Sequence, residues 1–78
     1  MENNFQESDF IQGSILEWKT ERNHGYLMDD FGREYIFTQR NLRFPLEEVK
    51  PGLKVKLIKG NPRWPGALKY MARQITKA

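Results

Sequence analysis

The chain contains no cysteine. Disulfides, thiolate catalysis and cysteine-based zinc sites are therefore excluded. Its single histidine, His24, excludes a histidine-rich metal site. There is no long apolar run, and the first residues, Met1 to Asp9, are acidic where a signal peptide would be basic. The sequence thus predicts neither a membrane span nor a signal peptide, and the expectation is a soluble, cytoplasmic protein. Acids are also fewer than bases, 10 against 13, and unevenly placed. None follows Glu48, whereas Lys50, Lys54, Lys56, Lys59, Arg63, Lys69, Arg73 and Lys77 all do. Residues 1–12 carry Glu2, Glu7 and Asp9 without a base; residues 13–78 hold 13 bases against 7 acids, a balance of +6 behind the net charge of +3. A field of one sign favours polyanionic partners and speeds their encounter.

With 78 residues the chain has material for one small domain with a modest core. Residues 1–12 read as a mobile acidic tail, and residues 13–78 as the folded domain. The stretch Asn23 to Thr38 reads as a β-hairpin: two β-favouring runs, His24 to Met28 and Glu34 to Thr38, flank a turn with Asp29, Asp30 and Gly32. Period-2 alternation sends Leu27, Tyr35 and Phe37 into a core and leaves His24, Tyr26, Ile36 and Thr38 outside. Gly13 to Lys19 is the first strand, with imperfect alternation, a bend or bulge expected at Gly13, and Trp18 at its far end. A short helical turn is expected near Arg40 to Arg43. Leu53 to Lys59 is the clearest alternating run, with Val55 and Leu57 inward and Lys54 and Lys56 outward. Gly60 to Gly66, with two prolines around Trp64, reads as a loop. Ala67 to Ile75 fits a short helix or a closing strand. The strand is preferred, because five short strands suggest an OB-type barrel that needs a closing partner. Asp29, Asp30 and Glu34 read as turn acids, since their spacing fits no calcium loop.

Several of these residues together resemble the bacterial cold-shock domain. Gly13, Ile15, Trp18, Gly25, Tyr26, Leu27 and Phe37 fall on its pattern, in the stretches G-S-I-L-E-W, N-H-G-Y-L-M, Y-I-F-T, P-G-L-K-V-K-L and A-R-Q-I. The resemblance covers about residues 13–75, without a gap from Gly13 to Leu42. It implies a five-stranded antiparallel OB-fold β-barrel that binds single-stranded RNA or DNA. The departures are specific. Asn23 replaces a glycine. Ile36 and Gln39 stand where the family has Phe, and Thr38 where it has His. Trp18 falls one position after the usual tryptophan, on the neighbouring aromatic, and the loop with Trp64 is longer.

The functional expectation is a monomeric single-strand nucleic-acid-binding module of low sequence specificity. Trp18, His24 and Tyr26 would stack bases. Ile36 and Thr38 mark degraded stacking positions on the same face. Lys19, Arg22, Lys54 and Lys56 would follow the phosphate backbone. His24 can stack as imidazole or, when protonated, pair with phosphate. Trp64 is either a second stacking site or a lid on the barrel. The alternative is an OB-type protein-interaction module that has lost part of the platform, with Ile36, Met28 and Trp64 as an exposed apolar patch. His24 has no nucleophile or acid partner in a recognised catalytic spacing, so neither an enzyme nor a cofactor is expected.

Overall fold

Alternating apolar and polar residues resolve into five strands that close on one another. The computed structural model describes residues 6–62 and 69–78. Strand β1 spans Ile11–Lys19, β2 His24–Asp29, β3 Glu34–Phe37, β4 Lys54–Pro62 and β5 Tyr70–Lys77. They form a closed barrel in the order β1-β2-β3-β5-β4, with β4 returning to β1. All neighbours are antiparallel except β3 and β5, which run parallel. The all-β, five-stranded OB-type barrel is therefore present, with one parallel seam in place of a wholly antiparallel ladder. Two single 3-10 turns, Gln39–Asn41 and Leu46–Glu48, carry the chain from β3 to β4. Among the described residues no helix is long and apolar enough to cross a membrane.

The core contains Ile15, Leu27, Tyr35, Phe37, Val55 and Leu57, each no more than 2% exposed, as the alternation predicts. Leu42, Ala72 and Ile75 complete it. The ambiguous segment after residue 66 is strand β5, which buries Ala72 and Ile75 and pairs with both β3 and β4. β4 runs further than its sequence suggests, through Gly60 to Pro62. The reason is close packing: a Cβ at Gly60 would lie 2.6 Å from the Met71 carbonyl oxygen, so the strand passes β5 there only as glycine. Trp64, assigned to the loop that follows, lies outside the described residues.

β1 contains the feature that sets the faces of the barrel. Ile15 pairs with Leu27 and Glu17 with Tyr26, so Leu16 is one residue too many and the strand bulges. Leu16 and Glu17 are both exposed, and the alternation restarts with Trp18 pointing inward. Trp18 pairs with Gly25, which pairs with Phe37, and these three form one inward row. The Trp18 and Phe37 rings lie 5.7 Å apart. Gly25 makes this possible, since a Cβ there would come within 2.8 Å of both rings.

Phe37 is fully buried at the centre of this row. Phe37→Ala should cost about 3–5 kcal/mol of unfolding free energy, as large-to-small core changes do. Chemical denaturation checks this, and wild-type stability would contradict the inward register of β3.

Candidate nucleic-acid interface

The hairpin that carries the candidate face is held at its turn by one carboxylate. Asp29 is only 4% exposed and accepts four hydrogen bonds. Its Oδ1 takes the backbone N–H groups of Phe31 and Arg33, each at 2.9 Å. Its Oδ2 takes Arg33 Nε and the Tyr35 hydroxyl, each at 2.7 Å. Burial alone would raise the Asp29 pKa, but the donors from Arg33, Tyr35 and Phe31 together hold it below its ordinary value. The Tyr35 hydroxyl is pushed well up, first by burial and then by its bond to Asp29. The turn closes through Gly32, whose φ of 90° favours glycine. Asp29 thus acts as a turn acid. Among the described residues no three His, Asp or Glu side chains converge as metal ligands.

At the other end of the hairpin, residues Thr20–Arg22 form a 3-10 turn that ends at Asn23 in the left-handed region, with φ of 55°. Asparagine tolerates that conformation better than most residues, which suits its presence where the resembled family has glycine. The chain then enters β2 at His24.

The outer face of the sheet follows from the register. One row runs Glu17, Tyr26, Ile36, Met71 across β1, β2, β3 and β5. Beside it lie Lys19 and His24, paired across β1 and β2. On the other side, Lys54, Ser14, Met28 and Glu34 form a row from β4 to β3. His24 and Tyr26 make an edge-to-face pair, with centroids 5.3 Å apart and His24 Nε2 hydrogen-bonded to the Tyr26 hydroxyl at 3.1 Å. Both rings are half-buried.

The structure gathers Lys19, His24 and Tyr26 on this face and puts Thr38 at its edge. Thr38 N–H donates to Asn41 Oδ1 at 2.8 Å, starting the turn Gln39–Asn41. Arg22 is exposed in the turn before His24, and Lys54 is exposed on β4. Lys56 is half-buried, with its ammonium 5.2 Å from the centre of the Phe10 ring. Two placements differ from the sequence reading. Trp18 belongs to the inward row with Phe37, not to the face of His24 and Tyr26, because the Leu16 bulge reverses the alternation. Ile36 does point to the outer face but is only 6% exposed, flanked in register by Tyr26 and Met71. Of the apolar patch Ile36, Met28 and Trp64, Ile36 is buried and Met28 half-buried, and Trp64 lies outside the described residues.

Two acids enter the site: Glu17, which the sequence reading passed over, and Glu34, read there as a turn acid but standing on β3 opposite Met28. Glu17 stands directly beside Tyr26, and Lys19 Nζ lies 3.5 Å from its carboxylate. Glu34 binds Lys69 at 3.0 Å, and the same ammonium sits 5.6 Å from the centre of the Tyr26 ring. Leu16, Glu17, Lys19, Tyr26, Glu34 and Lys69 line an open cleft of about 270 Å³. The signal for Glu17 was present in the one-residue displacement of Trp18, which leaves the outward position to its neighbour. These ion pairs are partly exposed, so each contributes at most about 1 kcal/mol and exchanges readily for another anion. Comparison with known proteins finds no matching family model and no matching curated sequence.

The depressed Asp29 pKa has a definite sign. Its contribution to stability is complete above the ordinary value of 3.8 and is lost as pH falls through the lower folded value. Asp29→Asn should cost about 1–3 kcal/mol at neutral pH, the scale of a buried polar group left badly paired. The gap between variant and wild type should narrow below pH 3.8. Denaturation curves across that range test this, and a gap independent of pH would show that the carboxylate charge is not what holds the turn.

Proposed function

We propose that this barrel binds single-stranded RNA or DNA across the outer face of β2, in the manner of the cold-shock domains its motifs resemble. The observation that carries the reading is the His24–Tyr26 pair, two coupled rings on the outer face of a barrel whose chain from residue 13 onward carries a balance of +6. A base stacking on Tyr26 displaces the Lys69 ammonium, which then meets the phosphate backbone instead of Glu34. Lys19 beside His24 and exposed Arg22 extend the cationic track, and Lys54 approaches the face from β4. Stacking supplies contact energy with little base preference, and counterion release supplies the rest. With Glu17 outward, Trp18 inward and Ile36 buried, the platform is smaller than the resemblance implies. Binding is accordingly weak and the footprint short.

A second reading, a protein-interaction module, draws on Glu17 and Glu34. Two carboxylates around an aromatic oppose a polyanion and suit a partner with basic side chains.

Titration of a labelled single strand, with a duplex control at two salt concentrations, separates the two. Tyr26→Ala should weaken single-strand binding by about 1–3 kcal/mol without changing the folded spectrum. If roughly 3–4 phosphates are neutralised, log affinity should fall against log salt with a slope near −2 to −3. Glu17→Gln should tighten binding by up to about fivefold, the scale of one exposed charge interaction. Unchanged affinity in Tyr26→Ala would remove this face as the binding surface, and a zero slope would remove the electrostatic argument.

A further inference from the structure

The row Glu17, Tyr26, Ile36, Met71 does not stop at β5. Met71 is 41% exposed and forms one wall of an open groove of about 740 Å³. Its other lining residues are Asn23, Thr38, Gln39, Arg40 and Asn41. The groove therefore lies next to the His24–Tyr26 pair: Asn23 immediately precedes His24, and Met71 is two strand spacings, about 10 Å, from Tyr26.

Its lining divides into groups already engaged and groups that are not. Asn41 is fixed, accepting from the Thr38 N–H at 2.8 Å and donating from Nδ2 to the Arg73 carbonyl at 3.5 Å. Among the described residues the side chains of Asn23 and Gln39 make no hydrogen bond, and the Arg40 guanidinium has no ion-pair partner. The groove thus presents two unused amides and one guanidinium around an exposed thioether. For a phosphate the groove offers one full charge, the Arg40 guanidinium, among neutral groups. Neutral amides, each a donor beside an acceptor, with a polarizable apolar wall, suit the edge and face of a heterocyclic base. The side-chain set narrows the base. A Gln or Asn amide pairs in bidentate fashion with adenine N6 and N7, and an Arg guanidinium with guanine O6 and N7. Both pairings use N7, which pyrimidines lack.

We propose that the groove between Gln39 and Met71 is a purine-reading subsite for a single strand lying on His24 and Tyr26. The proposal rests on the reading of that face as a nucleic-acid surface and adds a base preference to it. One purine enters the groove with its face against Met71, and its N7 edge meets Gln39 or Arg40. Neighbouring nucleotides remain on the sequence-tolerant face. The barrel then binds strands generally but sets their register wherever a purine is available.

The test measures affinity by anisotropy for a short oligothymidine and for the same strand with one adenine or guanine moved position by position. The expected result is a gain of at least about fivefold at one position, from one good bidentate contact. In Gln39→Leu the adenine-to-thymine ratio should fall to about one, and in Arg40→Gln the guanine-to-thymine ratio should do so. Both residues are exposed, and circular dichroism confirms that the variants fold. Salt-dependent binding with no purine preference at any position would overturn the subsite and leave the general single-strand reading intact. A preference that survives both substitutions would overturn the assignment to this groove. No binding of any oligonucleotide by the folded protein would overturn both readings.

Discussion

The structure depends on one extra residue in β1. Strict alternation from Ile15 would send Glu17 into the barrel and Trp18 into solvent. An unpaired buried carboxylate costs several kcal/mol, and the space between Gly25 and Phe37 would lose its aromatic filling. The bulge at Leu16 avoids both penalties. It also fixes the character of the outer face, because the carboxylate excluded from the core must then stand next to Tyr26. Core packing and surface chemistry are set by the same register shift.

The hairpin depends on a second constraint at its opposite end. Asp29 satisfies two backbone donors of the turn and two side-chain donors, one of them the buried Tyr35 hydroxyl. A buried charge is tolerated here because each oxygen is doubly hydrogen-bonded. The turn is thus tied to the same β3 strand whose Phe37 supports Trp18 across Gly25. The His24–Tyr26 pair thus sits on a ribbon fixed at both ends.

Much of this was legible in the sequence. Period-2 alternation placed Leu27, Tyr35, Phe37, Val55 and Leu57 in the core, because strand parity is a strictly local property. The barrel class followed from five short strands and the need for a closing partner. Three matters were not legible, and all are non-local. The exact site of the bulge is fixed by pairing with β2, so Trp18 read as an outward ring. The burial of Ile36 depends on which strands flank it, and Met71 comes from a segment that could have been helical. The groove at Gln39 joins residues from the β1–β2 turn, the turn after β3 and β5, and no spacing along the chain brings these together.

The parallel seam between β3 and β5 has a consequence for assembly. Among the described residues its strand register comprises Tyr35 with Tyr70 and Ile36 with Met71, and beyond β3 a parallel bridge from Leu42 to Ile75 continues it. A closed barrel hides every strand edge, but only while each junction holds. Opening this seam creates two unpaired edges at once, both apolar and aromatic in side chain. Those edges match each other in two copies as well as they do in one. The closure of the barrel therefore rests on the coherence of this seam, where local opening would expose both edges together.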